Sequence, residues 1–338
     1  DQQYFTSVLD YGFSKRIDEA FDMWGRDNVL RDVVRVIRME RPLVIVSRFQ
    51  GTQRDGHGNH QTAGLLTQEA AKAAADPNMF PEQIKDGLRP WQAAKVYIGG
   101  MREEEDWTVK VDPGEYSPWV GASYSDFARL GLSFQRSQTS GRYNPVAGPA
   151  PGYYKRTAAA IEGLPAKEGG FFDGIDTTVP GMFKALRKPE PAGAAPLLAA
   201  IDASVKKAVA AFTLKDPSAT VPALAEGLAA TRKAIAAFQD PDALHLLRIK
   251  EQQFQDAINT ALGVAFTARA QAAGVPEPTG MMAMFAPPPA MAAPVPGQTF
   301  EVRTRFTNRG NVSVTPAALE LAAPAGWTVA KGEGAIAA

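Results

Sequence analysis

Two of the three histidines in this 338-residue chain, His57 and His60, stand three residues apart in the sequence DGHGNH. Imidazole is both a common transition-metal ligand and the commonest general acid–base group, so the pair is the first place to look for chemistry. Gly56 and Gly58 let the backbone bend so that both rings face one point, which a regular strand would prevent. A helix is expected from about Gln61, which puts His60 near its amino end, where the helix dipole favours the neutral ring a metal requires. A polar loop with two exposed histidines fits the same residues, and the residue types alone leave both readings open. A catalytic zinc site uses about three protein ligands and an open position for water. Asp55 adjoins the pair, either as a further donor or as a cap for the loop. The third histidine, His245, sits beside the apolar stripe of a predicted helix and reads as a surface or satisfied helix residue. With no Cys in the chain, disulfides and thiolate ligands are excluded, and any metal must be held by His and carboxylates.

The elements around this loop predict an α/β arrangement. From Ser14 the apolar residues Ile17, Phe21, Trp24, Val29, Val33, Val36 and Ile37 recur mostly at steps of three and four, giving an amphipathic helix broken near Gly25 and ended by Arg41-Pro42. Residues 43–47, LVIVS, read as a strand buried on both faces. The loop RFQGTQRDGHGNH follows, then a helix that ends before Pro77. Helix, buried strand, loop and helix is the rhythm of an open sheet, whose sites form beyond the carboxyl ends of its strands. Further strands are expected at 95–98 and 107–111, and a short helix at 123–134 opened by Ser123 or Ser125. Residues 137–152 read as loop, with Phe171, Phe172 and Ile175 covering the sheet's edge.

Beyond residue 190 the composition changes. Residues 191–273 are rich in alanine and predict three antiparallel helices, with stripes at Leu197, Ile201, Val205, Val209 and Phe212, then at Val221, Leu224, Leu228, Ile235 and Phe238, then at Leu247, Phe254, Ile258 and Leu262. Pro222 and Pro241 fall in first turns, where a missing N–H costs nothing. Residues 274–297 form a Pro/Ala/Met-rich linker, whose four methionines read as filler rather than as a soft-metal site. Residues 298–338 begin with an alternating strand, Phe300 to Thr307, a turn at Asn308–Asn311, and one or two further strands around Val312, Val314, Leu319 and Leu321. About three strands cannot close a sandwich of about seven. The expected fold is therefore an open Rossmann-like three-layer sheet over 1–190, incomplete at its amino end, then a helical bundle and a partial antiparallel β-sandwich.

Lys and Arg total 36 against 36 Asp and Glu, and no basic run stands out, which argues against a nucleic-acid partner. No stretch approaches the roughly 20 apolar residues of a membrane span.

The segment RPLVIVSRFQGTQRDGHGNHQTAG resembles the second conserved block of the LmbE-like (PIG-L) zinc-dependent N-deacetylases. YGFSK, WGRDNVLRDVVRVIR, PWQAAKVY, SYSDFARLG and FFDGID are similar to segments of the larger bacterial members, so the likeness covers about residues 1–180. The resemblance implies zinc, with His60 as a ligand, and His57 stabilising the tetrahedral intermediate and protonating the departing amine. Many relatives carry Asp before the second histidine; this chain has Asn59, which accepts a hydrogen bond but cannot compensate an imidazolium charge. Arg48, at the strand's end, is a candidate for substrate binding or for fixing the loop.

The family's AHPDDE block does not occur in the sequence, which is the expectation for a fragment, and the fragment alone is expected to be inactive. PGQTFEVRTRFTNRGNVSVTPAALELAAPAGW resembles a NEW-type β-sandwich of extracytoplasmic carbohydrate-active enzymes, which implies a periplasmic or extracellular location. The implied substrate is a small molecule or glycan of the N-acetylglucosamine type. Two rivals stand beside it: an amidase on a non-sugar N-acyl conjugate, and a non-catalytic protein that binds carbohydrate of the cell envelope.

Overall fold

Gly25 divides the first amphipathic run as its backbone demands. Its φ of 71° ends α1 (Ile17–Trp24) and opens α2 (Arg26–Glu40). The computed structural model describes residues 2–139, 141–145, 148–276, 280–281, 285 and 291–330. By internal contacts the chain forms two compact units, Asp1–Thr177 and Thr178–Ala338.

In the first unit, α2 ends at Arg41, whose φ is 51°, and β1 (Val44–Ser47) follows. A short 3-10 turn (Gln53–Asp55) leads into α3 (Gly58–Ala73) and α4 (Pro81–Lys85). Then come β2 (Lys95–Met101), β3 (Val109–Val111), the hairpin strands β4 (Tyr116–Ser117) and β5 (Ala122–Ser123), α5 (Tyr124–Ser133), α6 (Arg136–Thr139) and β6 (Gly152–Ala159). Ser123 opens α5, its hydroxyl accepting the Asp126 N–H at 3.0 Å.

The main sheet runs β1-β2-β6-β3. Only β1 and β2 are parallel, in the register Val44↔Lys95 to Ser47↔Ile98; β6 is antiparallel to both its neighbours. The sheet is thus mixed. β1 lies at an edge with Val46 42% exposed, so LVIVS is not buried on both faces. β6 begins where the expected loop 137–152 ends, in a stretch for which no strand was expected, and it separates β2 from β3.

Two buried polar assemblies hold this unit. Arg38 on α2 is fully buried and donates to the carbonyls of Ala73, Ala74, Asp76, Met79 and Phe80 and to Gln83 Oε1, so one guanidinium closes the turn after α3. In the sheet, Glu168 receives Lys95 Nζ at 3.1 Å, the Tyr97 hydroxyl at 2.6 Å and Arg156 Nη1 at 2.8 Å. Burial, and then the bond to Glu168, hold the Tyr97 phenol well above its ordinary range. Phe171 packs edge-on against Tyr97 and Tyr154, as expected of a residue covering the sheet, whereas Phe172 is exposed.

The second unit contains α7 (Met182–Ala185), α8 (Ala194–Ala211), α9 (Val221–Ala237), α10 (Pro241–Leu262), β7 (Val264–Ala272) and β8 (Phe300–Asn308). The three long helices are present, with Pro222 and Pro241 in first turns. Their buried face is rotated from the expected stripe on α8: Leu198, Ile201, Ser204 and Ala208 are inside, while Val209 is 71% exposed. α9 turns its small residues Gly227, Thr231 and Ala234 inward, and a Cβ at Gly227 would stand 2.4 Å from the Phe254 ring. Gly227 thus lets α9 and α10 approach closely. The alanine-rich tail 264–272 is a strand, not helix, and pairs antiparallel with β8 from Val264↔Asn308 to Ala272↔Phe300. Among the described residues after Asn308 there is no further strand, although Val312 to Leu321 were expected to supply one. Of the four linker methionines, Met282 and Met284 lie outside the described residues, and Met281 is exposed.

Candidate functional site

The loop after β1 is shaped by Asp55. Its Oδ1 accepts the Gln50 N–H at 3.1 Å, and its Oδ2 accepts those of Gly51 at 2.7 Å and Thr52 at 3.0 Å. A carboxylate that accepts from three main-chain donors caps the loop. The loop then lies close on α3: a Cβ at Gly64 would stand 2.1 Å from the Gly51 nitrogen. Gln68 Nε2 donates to the Gln50 carbonyl, and Gln50 Nε2 donates to Gly100 at the end of β2.

α3 begins at Gly58, three residues before its expected start, because His57 is its N-cap. His57 Nδ1 accepts the Asn59 N–H at 3.1 Å. A ring nitrogen that accepts carries no proton, so the neutral ring is protonated on Nε2. His60, in the first turn, points Nδ1 at the Asp55 carbonyl at a long 3.4 Å. A carbonyl only accepts, so Nδ1 is the protonated nitrogen and Nε2 keeps its lone pair. The ring centroids are 5.2 Å apart. Thus the pair offers two different things side by side, an N–H donor from His57 and a lone pair from His60.

Both rings are held by residues that sequence reasoning missed. Phe49 stacks on His60 at 4.1 Å with planes 10° apart, and Phe13 meets His57 edge-on at 4.7 Å while 71% exposed. The segment before α1 clasps the start of α3. Ser14 and Lys15 lend their carbonyls to the Gly58 N–H and the buried Gln61 amide, at 2.9 and 3.0 Å. The Tyr11 hydroxyl donates to Asn59 Oδ1 at 2.6 Å, with Ser14 Oγ 3.4 Å from the same oxygen. A Cβ at Gly58 would fall 2.3 Å from both Arg16 O and Ser14 Oγ, so this contact requires glycine. The signal for the clasp was present only as YGFSK, a segment more than 40 residues upstream.

The structure therefore brings His57, Asn59, His60 and Asp55 together. Arg48 is exposed at the end of β1 and makes no hydrogen bond or ion pair to another described residue. His245 belongs to α10 in the other unit. Among the described residues no three His, Asp or Glu side chains are grouped to hold a metal. With Asp55 engaged and His57 Nε2 protonated, only His60 offers a free donor, so these residues do not by themselves fit a catalytic zinc ion.

The chain shows two partial likenesses to known proteins. Over 79 residues the chain is 38% identical to 1D-myo-inositol 2-acetamido-2-deoxy-alpha-D-glucopyranoside deacetylase 2 of Saccharopolyspora erythraea, a match that takes in 23% of this chain and 27% of that relative. Residues 295–338 match the family described as NPCBM-associated, NEW3 domain of alpha-galactosidase. The chain is thus similar over a short stretch to a deacetylase, and its carboxy-terminal residues to a domain of a carbohydrate-active enzyme.

Proposed function

We propose that the protein is an N-deacetylase of the LmbE-like kind, hydrolysing the N-acetyl amide of an N-acetylglucosamine-type conjugate. The observation that carries this reading is the histidine pair, which sets a fixed N–H donor beside a free imidazole lone pair. Water adds to the acetyl carbonyl, the C–N bond breaks, and acetate and the free amine leave. As the carbonyl oxygen gains charge, His57 Nε2–H donates to it, in the manner of an oxyanion-hole donor. Nδ1 is taken by the Asn59 N–H and Nε2–H is the group left to face a substrate, which supports oxyanion stabilisation among its two implied roles. His60 Nε2 is the atom this chain would give to the zinc that the resemblance implies. The remaining donors are not among the described residues. The same reading carries a Rossmann-type sheet, a NEW3 β-sandwich and a place outside the cytoplasm.

The test is acetate release by the whole protein, with zinc supplied, from N-acetylglucosaminyl conjugates. His57→Ala is expected to lower kcat about a hundredfold with bound zinc retained, and His60→Ala to remove both. Release from non-sugar N-acyl amides alone would favour an amidase. Glycan binding without any release would favour a binding protein.

A further inference from the structure

The departure from the family pattern at Asn59 has a structural counterpart upstream. The Asn59 side chain does not reach His57; its Oδ1 accepts from the Tyr11 hydroxyl at 2.6 Å and faces Ser14 Oγ at 3.4 Å. The nitrogen that an aspartate would orient is instead met by the Asn59 main-chain N–H. Tyr11 is itself fixed, half-buried and edge-on to Trp24 at 5.4 Å, with Trp24 Nε1 donating to the Leu9 carbonyl at 2.8 Å. Ser14, which is buried, stands 2.8 Å from the Tyr11 oxygen.

We propose that Tyr11 is a positioning residue for His57. By taking Asn59 Oδ1 it keeps that side chain off the imidazole and reserves Nδ1 for the main-chain N–H, so that the ring presents Nε2–H to the substrate. A free asparagine carries both an acceptor and a donor, and either end can reach a neighbouring ring nitrogen and select either tautomer. A main-chain N–H can only donate, and so selects one. The catalytic consequence rests on the deacetylase reading above; the tautomer does not.

The test is the long-range proton–nitrogen imidazole spectrum of the 338-residue chain labelled at histidine, with His57 assigned by its loss in His57→Gln. The native chain is expected to show His57 protonated at Nε2. Tyr11→Phe, which removes only the hydroxyl, should give a mixture of tautomers at His57 while the His60 pattern and the melting curve stay as they were. Asn59→Ala removes the side chain that Tyr11 restrains, so adding Tyr11→Phe to it should change nothing further. A pure Nε2–H pattern in Tyr11→Phe overturns the proposal. So does an effect of equal size in the Asn59→Ala background, or a global loss of structure in Tyr11→Phe that Asn59→Ala does not rescue. In the whole protein the same variant should lower kcat about tenfold with KM within twofold. Absence of acetate release with the tautomer as expected would overturn the deacetylase reading and leave the positioning intact.

Discussion

At the scale of single residues, the groups that bear charge divide into those held for structure and those left open for chemistry. Arg38 belongs to the first kind: its guanidinium is buried among six acceptors and has no carboxylate within the hydrogen bonds it makes. Burial lowers its pKa, yet it remains a cation, as an arginine must. Arg38→Met keeps the volume of the stem and strips the turn after α3 of its donors. Each buried carbonyl left unpaired costs roughly 1–3 kcal/mol, and water reaches some of them, so a loss of at least about 3 kcal/mol is expected in the first unit. Thermal unfolding followed by near-ultraviolet dichroism checks this, and a change below about 1 kcal/mol would mean that the turn has other support. Asp55 is of the same kind, a carboxylate spent on three main-chain N–H groups. His57 and His60 are of the other. Their place in the chain and their glycine neighbours were legible in the sequence, because chemistry-bearing residues at short spacing announce themselves. The partners Tyr11, Phe13, Ser14 and Phe49 were not, since an aromatic or a serine means nothing until the fold brings it to a ring.

At the scale of elements, local signals proved sound where the chain decides by itself and failed where a distant strand decides. Gly25, Arg41, Ser123, Pro222 and Pro241 mark helix ends by their own backbone or side-chain chemistry, and the helices begin or stop there. β6 and β7 give weak signals because pairing creates them. β6 lies between two antiparallel partners, and β7 keeps an alanine-rich, helix-favouring sequence extended only by pairing along its whole length with β8. The start of α10 shows a local device at its clearest. Asp240 caps it by accepting the N–H groups of Asp242 and Ala243 at 2.9 and 3.0 Å, and Lys188 reaches both Asp240 and Asp242. Burial pushes the Asp240 carboxyl up, but Lys188 and the two N–H groups outweigh it and hold its pKa below the ordinary value. Burial likewise pulls Lys188 down, and its two carboxylate partners raise it overall. The signs follow from linkage. The Asp240 contribution is complete above the unfolded value near ~3.9 and is lost as pH falls through the lower, folded one. That of Lys188 is complete below its unfolded value near ~10.4 and is lost as pH rises through the higher, folded one. Asp240→Ala should therefore cost the second unit about 1–2 kcal/mol at neutral pH. The difference from the native protein should shrink below pH 4 in a series of thermal melts; a difference constant down to pH 2 would show that the carboxylate's charge contributes nothing.

At the scale of the whole molecule, composition bounds the metal chemistry more tightly than any motif. Three histidines and no cysteine leave imidazole and carboxylate as the available ligands, and around this loop the structure leaves few of them open. His245 lies on α10, Asp55 caps its loop, and His57 carries its proton on Nε2, so His60 stands with one lone pair and no described partner donor. A complete structural zinc site binds with an apparent free energy of about 10–16 kcal/mol, and most of that comes from several ligands acting together in a preformed geometry. One imidazole, with a second that must first exchange its tautomer and give up its helix cap, falls far short of this. Calorimetric titration of the 338-residue chain with zinc at pH 7 should accordingly show a Kd weaker than about 10 µM, with little heat beyond what His60→Ala also shows. Stoichiometric binding below 1 µM, abolished by His60→Ala, would mean that the chain assembles a site from residues whose described positions do not bring them together. The same titration in the whole protein separates the possibilities further: tight zinc there that depends on His60 is what the deacetylase reading requires. Tight zinc that ignores His60 would move the metal, and the chemistry with it, away from this loop.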